Sequence, residues 1–140
     1  MIYARVDLSK IDYQITQNWA YLNKPDITTL NNIYLQYCRH KKFKSVMPIF
    51  DSEYSDDCND VIGYHYNNEF VAFSLIRKHS DNDIEAVQFA WDYKNPELRL
   101  GIESLKNECA IYKSRGFKYL YLGEAAEYKK IDGYELLGPA

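Results

Sequence analysis

The residues best placed to do chemistry gather in one stretch, "FAWDYKNPELRLGIESLKNECAIYKSRGFKYLYLGE", from Phe89 to Glu124. It reads as strand, proline-bearing turn, amphipathic helix and strand, with Gly101 in the first turn of the helix. The first backbone N–H groups of a helix have no internal partner, and the helix dipole adds partial positive charge there. Glycine inside a helix costs about 1 kcal/mol against alanine, so its presence asks for a reason. Two reasons offer themselves. Gly101 lets an anion such as a phosphate reach the N–H groups of Arg99, Leu100, Gly101, Ile102 and Glu103, or it lets the helix pack close against a sheet.

Other chemistries find less support. His40, His65 and His79 are scattered, with no Ser-His-Asp or HxxxH spacing, so no metal site is expected. Cys38, Cys58 and Cys109 are odd in number and widely spaced, which argues against a disulfide framework. Buried or idle thiols are expected.

The elements that must position the stretch can be read on either side of it. "MIYARVDL" alternates apolar and polar residues and suits an opening strand. In "SKIDYQITQNWAYLNKP" the spacing of Ile11, Ile15, Trp19 and Leu22 fits a helix, against the β-branched content. "PDITTLNNIYLQYCRHKKFK" has a helical period, Asp26 or Thr28 as cap, and basic residues Arg39 to Lys42 at its end. "DSEYSDDCND", residues 51–60, reads as a loop. "DVIGYHY" and "EFVAFSLIRKH" flank Asn67-Asn68, a two-residue hairpin turn, and residues 71–76 are apolar enough to be covered on both faces. "IEAVQFAWDY" makes a third strand of an antiparallel meander. Leu98, Ile102, Leu105, Cys109 and Tyr112 then form one helical stripe, ended by Gly116 as a left-handed cap. "FKYLYLG" follows closely and is expected to lie parallel to a strand of the sheet. The tail holds a helical turn and an end segment. The order β–α–βββ–α–β makes a mixed α/β sheet with helices on both faces.

Composition sets the outer limits. The chain has 140 residues, 46% hydrophobic and 16% aromatic, with 14 tyrosines and a net charge of −3. One domain spanning 1–140 is expected. The charge disfavours general nucleic-acid binding, tRNA included, although Arg39-His40-Lys41-Lys42-Phe43-Lys44 forms one dense basic run. No stretch approaches about 20 apolar residues and the opening lacks an apolar signal core. A cytoplasmic protein without membrane association is expected.

Together the meander, the helix with glycine in its first turn and the following strand resemble the GCN5-related N-acetyltransferase (GNAT) fold. Residues from about 60 to 140 are also similar to the C-terminal, GNAT-like half of arginyl-tRNA–protein transferases. That similarity rests on Trp91-Asp92 with Pro96 before the helix, Leu100-Gly101, Tyr119-x-Tyr121-Leu122-Gly123, Tyr128-Lys129, Tyr134 and Leu136-Leu137. The loop Leu98-Arg99-Leu100-Gly101-Ile102-Glu103 departs from the usual acetyltransferase pattern: its first position is apolar and its last acidic. The transferases also carry a cysteine-rich N-terminal half; it is not expected here, and neither is arginylation of a protein substrate.

The GNAT resemblance implies an acyl-CoA co-substrate. Its pyrophosphate would sit on the start of the helix, its pantetheine arm in a gap where strands 84–92 and 117–123 splay, and Trp91, Asp92, Arg99, Leu100, Gly101 and Ile102 would bind it. It implies direct attack by an amine, small or peptidic, with the backbone near Ala90–Asp92 polarising the carbonyl. Glu124, or Glu85 or Asp92, is the candidate base, and Tyr128 the candidate acid. Trp91 is expected either to floor the acceptor pocket or to fill the core. The transferase similarity implies a second possibility, aminoacyl transfer from tRNA. The altered loop leaves a third, a GNAT-like module that binds without catalysis.

Overall fold

The computed structural model describes residues 2–43, 51–124 and 129–139. The chain runs β1 (Ile2–Asp7), β2 (Trp19–Tyr21), α1 (Ile27–Lys41), α2 (Asp51–Ser55), β3 (Asn59–Tyr66), β4 (Glu69–Lys78), β5 (Asp83–Trp91), α3 (Leu100–Ser114), β6 (Tyr119–Glu124) and β7 (Tyr134–Pro139). The described strands form one sheet in the order β2-β3-β4-β5-β6-β1-β7. Neighbours are antiparallel except β5 and β6, which run parallel across the α3 crossover.

Local chemistry explains the main elements. Asn67 and Asn68 turn the β3–β4 hairpin with φ of 52° and 65°, the positive values that a tight primed turn needs. Asp26 caps α1 by accepting from the Thr28 N–H at 3.0 Å. At the end of α3 the N–H of Phe117 reaches the Tyr112 carbonyl and that of Gly116 the Lys113 carbonyl, both at 3.0 Å. With Gly116 at φ +91°, this is a Schellman cap.

The helices lie on both faces. On one, Leu105, Cys109 and Tyr112 of α3 join Ile62, Ala72 and Ile76 in a common core. On the other, Leu30 and Ile33 of α1 pack with Val61, Phe73 and Leu75. Alternation along β3 and β4 therefore feeds both faces.

Three segments differ from the sequence expectation. Residues 11–22 form no helix: 11–18 lack regular structure, and Trp19–Tyr21 is β2, an edge strand paired with β3. Ile11 is 2% exposed and Ile15 is 45% exposed, so the two do not share the single face that a helix would require. The span 51–60 is not all loop: it holds α2 and the start of β3. The end segment of the tail, for which the sequence named no element, is β7, paired with β1. Among the described residues no helix is long and apolar enough to cross a membrane, and all three cysteines are free thiols.

Candidate active site

The sheet splits where α3 begins. Parallel pairing of β5 and β6 is confined to Asp83 with Tyr119, Ile84 with Leu120 and Glu85 with Tyr121. Beyond these, each strand keeps its outer neighbour: β5 stays on β4 out to Trp91, and β6 stays on β1 out to Glu124. Each strand carries an extra residue at the point of divergence. In β5, Gln88 faces Leu75 and Ala86 faces Ile76, leaving Val87 over. In β6, Gly123 faces Ala4 and Tyr121 faces Arg5, leaving Leu122 over. Bulges bend a strand and raise its twist, and two of them side by side drive the strands apart. Gly123, at φ +71°, supplies the left-handed backbone that the second bulge uses.

The start of α3 faces this opening. Arg99 is its N-cap, with φ 47° and no capping side chain. The N–H groups of Ile102 and Glu103 both turn back to the Arg99 carbonyl. The N–H groups of Leu100 and Gly101 have no partner among the described residues. A methyl group added at Gly101 would meet nothing within 4 Å, so close packing on the sheet is not what this glycine serves. Glu103 is exposed and sits 3.8 Å from Lys106, turned away from the opening.

The cleft so formed has a volume of about 720 Å³ and runs from Arg99 and Gly101 past Phe89 and Trp91 to Leu122 and Glu108. Its wall is aromatic. Trp91 lies 4.3 Å from Tyr93, and Tyr93 stacks on His40 at 3.7 Å. Lys41, Arg99 and Lys129 contribute cations to the lining. A concave, mostly apolar site with a few polar groups suits an elongated ligand.

At the deep end of the cleft lies a carboxylate that the sequence reading passed over. Glu108 is 3% exposed. Its Oε2 accepts from the Tyr64 hydroxyl at 2.6 Å and the Ser74 hydroxyl at 2.7 Å, and Asn107 Nδ2 donates to the same Tyr64 oxygen at 3.2 Å. Oε1 has no partner among the described residues. The buried side-chain oxygen that does lack one there is Asn59 Oδ1, so Glu108 Oε1 is open to the cleft rather than sealed in. Burial pushes the Glu108 carboxyl up to about 7, against the two hydroxyl bonds that favour its ionised form. The available signal was its position: Gly101, Ser104, Leu105, Glu108, Cys109 and Tyr112 form one stripe at spacings of three and one, and a glutamate inside such a stripe is out of place.

The other sequence candidates are distributed as follows. Trp91, Arg99, Gly101 and Ile102 line the cleft, and Leu100 presents an unpaired N–H at its rim. Trp91, 4% exposed, also belongs to the core. Asp92 is not part of the lining; its carboxylate accepts from the Lys94 N–H at 3.0 Å and holds the following turn. Glu85 is away from the cleft, with Oε1 2.8 Å from His79 Nε2. Glu124 ends β6, while its side chain and all of Tyr128 lie outside the described residues. Among the described residues no group of three or more His, Cys, Asp or Glu side chains is placed to hold a metal ion.

No protein-family model matches the sequence, and no curated protein does either. Solved structures do match. N-myristoyltransferase of Saccharomyces cerevisiae with bound myristoyl-CoA superposes with a TM-score of 0.68 at 11% identity, over 98% of this chain and 47% of that one. A Novosphingobium aromaticivorans protein assigned to the GNAT family of acetyltransferases gives 0.66 at 13% identity, over 96% of this chain and 58% of that one. The ribosomal-protein-S18-alanine N-acetyltransferase of Escherichia coli gives 0.56 at 18% identity, over 78% and 67%. The chain thus has the GNAT fold, and it spans about half the length of the first two of these proteins.

Proposed function

We propose that this chain is an N-acyltransferase that takes an acyl group from acyl-CoA and passes it to an amine. The observation that carries this reading is the pair of unpartnered N–H groups at Leu100 and Gly101, opening onto a cleft between two parted strands. A structural neighbour of the same fold carries myristoyl-CoA, and the residues present fit such a donor. Its pyrophosphate would take the helix start and Arg99, and its elongated arm would lie along Phe89 and Trp91.

Magnitudes show why both parts are needed. Charge-assisted hydrogen bonds contribute roughly 1.5–3 kcal/mol each, whereas association costs roughly 4–15 kcal/mol. The helix start alone does not reach micromolar binding, which requires about 8 kcal/mol net. The apolar cleft supplies the remainder by burying the donor's arm. For the acceptor half of the reaction we infer that Glu124, at the open end of β6, orients the amine and that Tyr128 protonates the departing thiolate.

Acetyl-CoA and myristoyl-CoA are the probes. Either should raise the melting temperature of the wild-type chain. Gly101→Glu places a carboxylate into open space at the anion site, so the fold should survive and the stabilisation should vanish. A variant stabilised as well as the wild type would remove the anion site. Aminoacyl-tRNA retarded on a gel in a salt-dependent way, with no response to acyl-CoA, would favour the tRNA-dependent donor instead.

A further inference from the structure

The deep end of the cleft holds chemistry that the donor site leaves unused. Glu108 lies seven residues past Gly101, about 10 Å down the axis of α3 at a helical rise of 1.5 Å per residue. Its partner Ser74 faces Phe89 of β5, beyond the last β5–β6 pair at Glu85. Its Oε2 is fixed by two hydroxyls from neighbouring strands, Tyr64 on β3 and Ser74 on β4. That clamp engages Oε2 alone, while Oε1 has no partner among the described residues and Glu108 lines the cleft. A nearly buried carboxylate oxygen without a donor is costly unless a ligand supplies one. The donor best matched to it is a cation able to give up a proton, which is what a protonated amine is.

We infer that Glu108 Oε1 is the proton acceptor for the acceptor amine, a catalytic residue of the acyl transfer proposed above and dependent on that reading. The ammonium gives one proton to Oε1. The freed nitrogen lone pair attacks the thioester carbonyl, the C–N bond forms and the C–S bond breaks. Tyr128 gives its proton to the thiolate, the second N–H proton replaces it on Tyr128, and Glu108 returns its own proton to solvent, so the products are the amide and the thiol. An acid of ordinary strength would be a poor base for this step, and burial in this pocket corrects that by raising the carboxyl to about 7.

The groups around it keep that value from being set by another titration. Tyr64 on β3 and Cys109 on α3 are pushed up first by burial and then by Glu108 itself, and Tyr112 on α3 is pushed up first by burial and then by its bond to Asp60, with Glu108 the smallest contributor. They stay neutral while Glu108 titrates. From α1 and the cleft margin the facing charges are Lys41, Arg99 and Lys129.

The test uses acetyl-CoA with two acceptors: n-butylamine, which arrives protonated near pH 7, and methoxyamine, which arrives neutral. Glu108→Gln keeps an oxygen for Tyr64 and Ser74 and turns an amide NH2 toward the cleft. Its rate with n-butylamine should fall about 100-fold or more. Methoxyamine should lose far less, and acetyl-CoA should still raise the melting temperature. The wild-type rate should rise with pH through a limb near 7 that the variant lacks. Tyr64→Phe keeps the carboxylate but removes one donor to it, and should move that limb to higher pH. Equal losses on both amines, or a limb unmoved in Tyr64→Phe, would overturn the inference alone. Absence of any acetyl-CoA effect on the wild type would overturn the donor reading and this inference with it.

Discussion

Two acids, Asp60 and Glu108, sit on the same side of the sheet, each held by a buried tyrosine, and they end on opposite sides of the ordinary carboxylate range. Asp60 accepts from Tyr112 at 2.7 Å, from Arg115 at 2.9 Å and from Lys78 at 3.1 Å. Burial raises it, but those bonds and charges outweigh burial and hold it below its usual value. Glu108 receives only neutral hydroxyls, and burial wins. The difference lies in two cations. Asp60 ties the end of α3, through Arg115, to the β3–β4 pair and is structural. Glu108, with no cation bonded to it and one oxygen open to a cleft, is left as a group that can exchange a proton near neutrality.

This contrast makes opposite demands on pH. Glu108 holds its proton more tightly in the folded chain than its ordinary value of 4.5. Its contribution to stability is therefore complete below 4.5 and is lost as pH rises to about 7. Asp60 has the lowered value, so its contribution is present above the unfolded value and is lost as pH falls through the folded one.

The largest expected effect is that of Glu108→Gln. At pH 8 it should stabilise the chain by about 3 kcal/mol, with little change at pH 4.5, as read from urea midpoints across that window. A flat difference between the two pH values would mean that Glu108 does not titrate as its burial requires. Next, Asp60→Asn should cost about 1–2 kcal/mol at pH 7, because Lys78 and Arg115 are partly exposed and screened. The loss should shrink toward acid, where the wild type protonates. The smallest is Ser74→Ala, about 1 kcal/mol at pH 8 and less at pH 5, since it removes one donor that favours the ionised Glu108. Equal costs at both values would show that Ser74 serves packing alone.

Much of the scaffold could be read from the sequence because its signals are local. Asn67-Asn68 announces a hairpin by backbone preference, the stripe from Leu98 to Tyr112 announces α3, and Gly101 stands out as a glycine where helices avoid one. The parting of the strands came from the family resemblance and is realised through Val87 and Leu122. Neither residue looks unusual, since a bulge is defined by register against a partner strand far away in sequence. β2 and β7 escaped for the same reason, as short edge strands made by pairing rather than by pattern. Glu108 was legible only as a glutamate out of place in an apolar stripe, since the hydroxyls that hold it come from Tyr64 and Ser74, far away in sequence. Asp92 and Glu85 prove to be occupied in a turn and with His79.

The twin bulges leave the molecule with two inner borders that an ordinary sheet would not have. Past Glu85 and Tyr121 the two strands no longer pair with each other, so backbone groups on their facing edges are left without that partner. Along this stretch Lys129 Nζ donates to the Leu122 carbonyl at 3.1 Å, and Gln88 Nε2 reaches the Phe89 carbonyl at 3.4 Å. A guest with amides of its own, laid lengthwise, would complete the hydrogen-bond ladder as a surrogate strand.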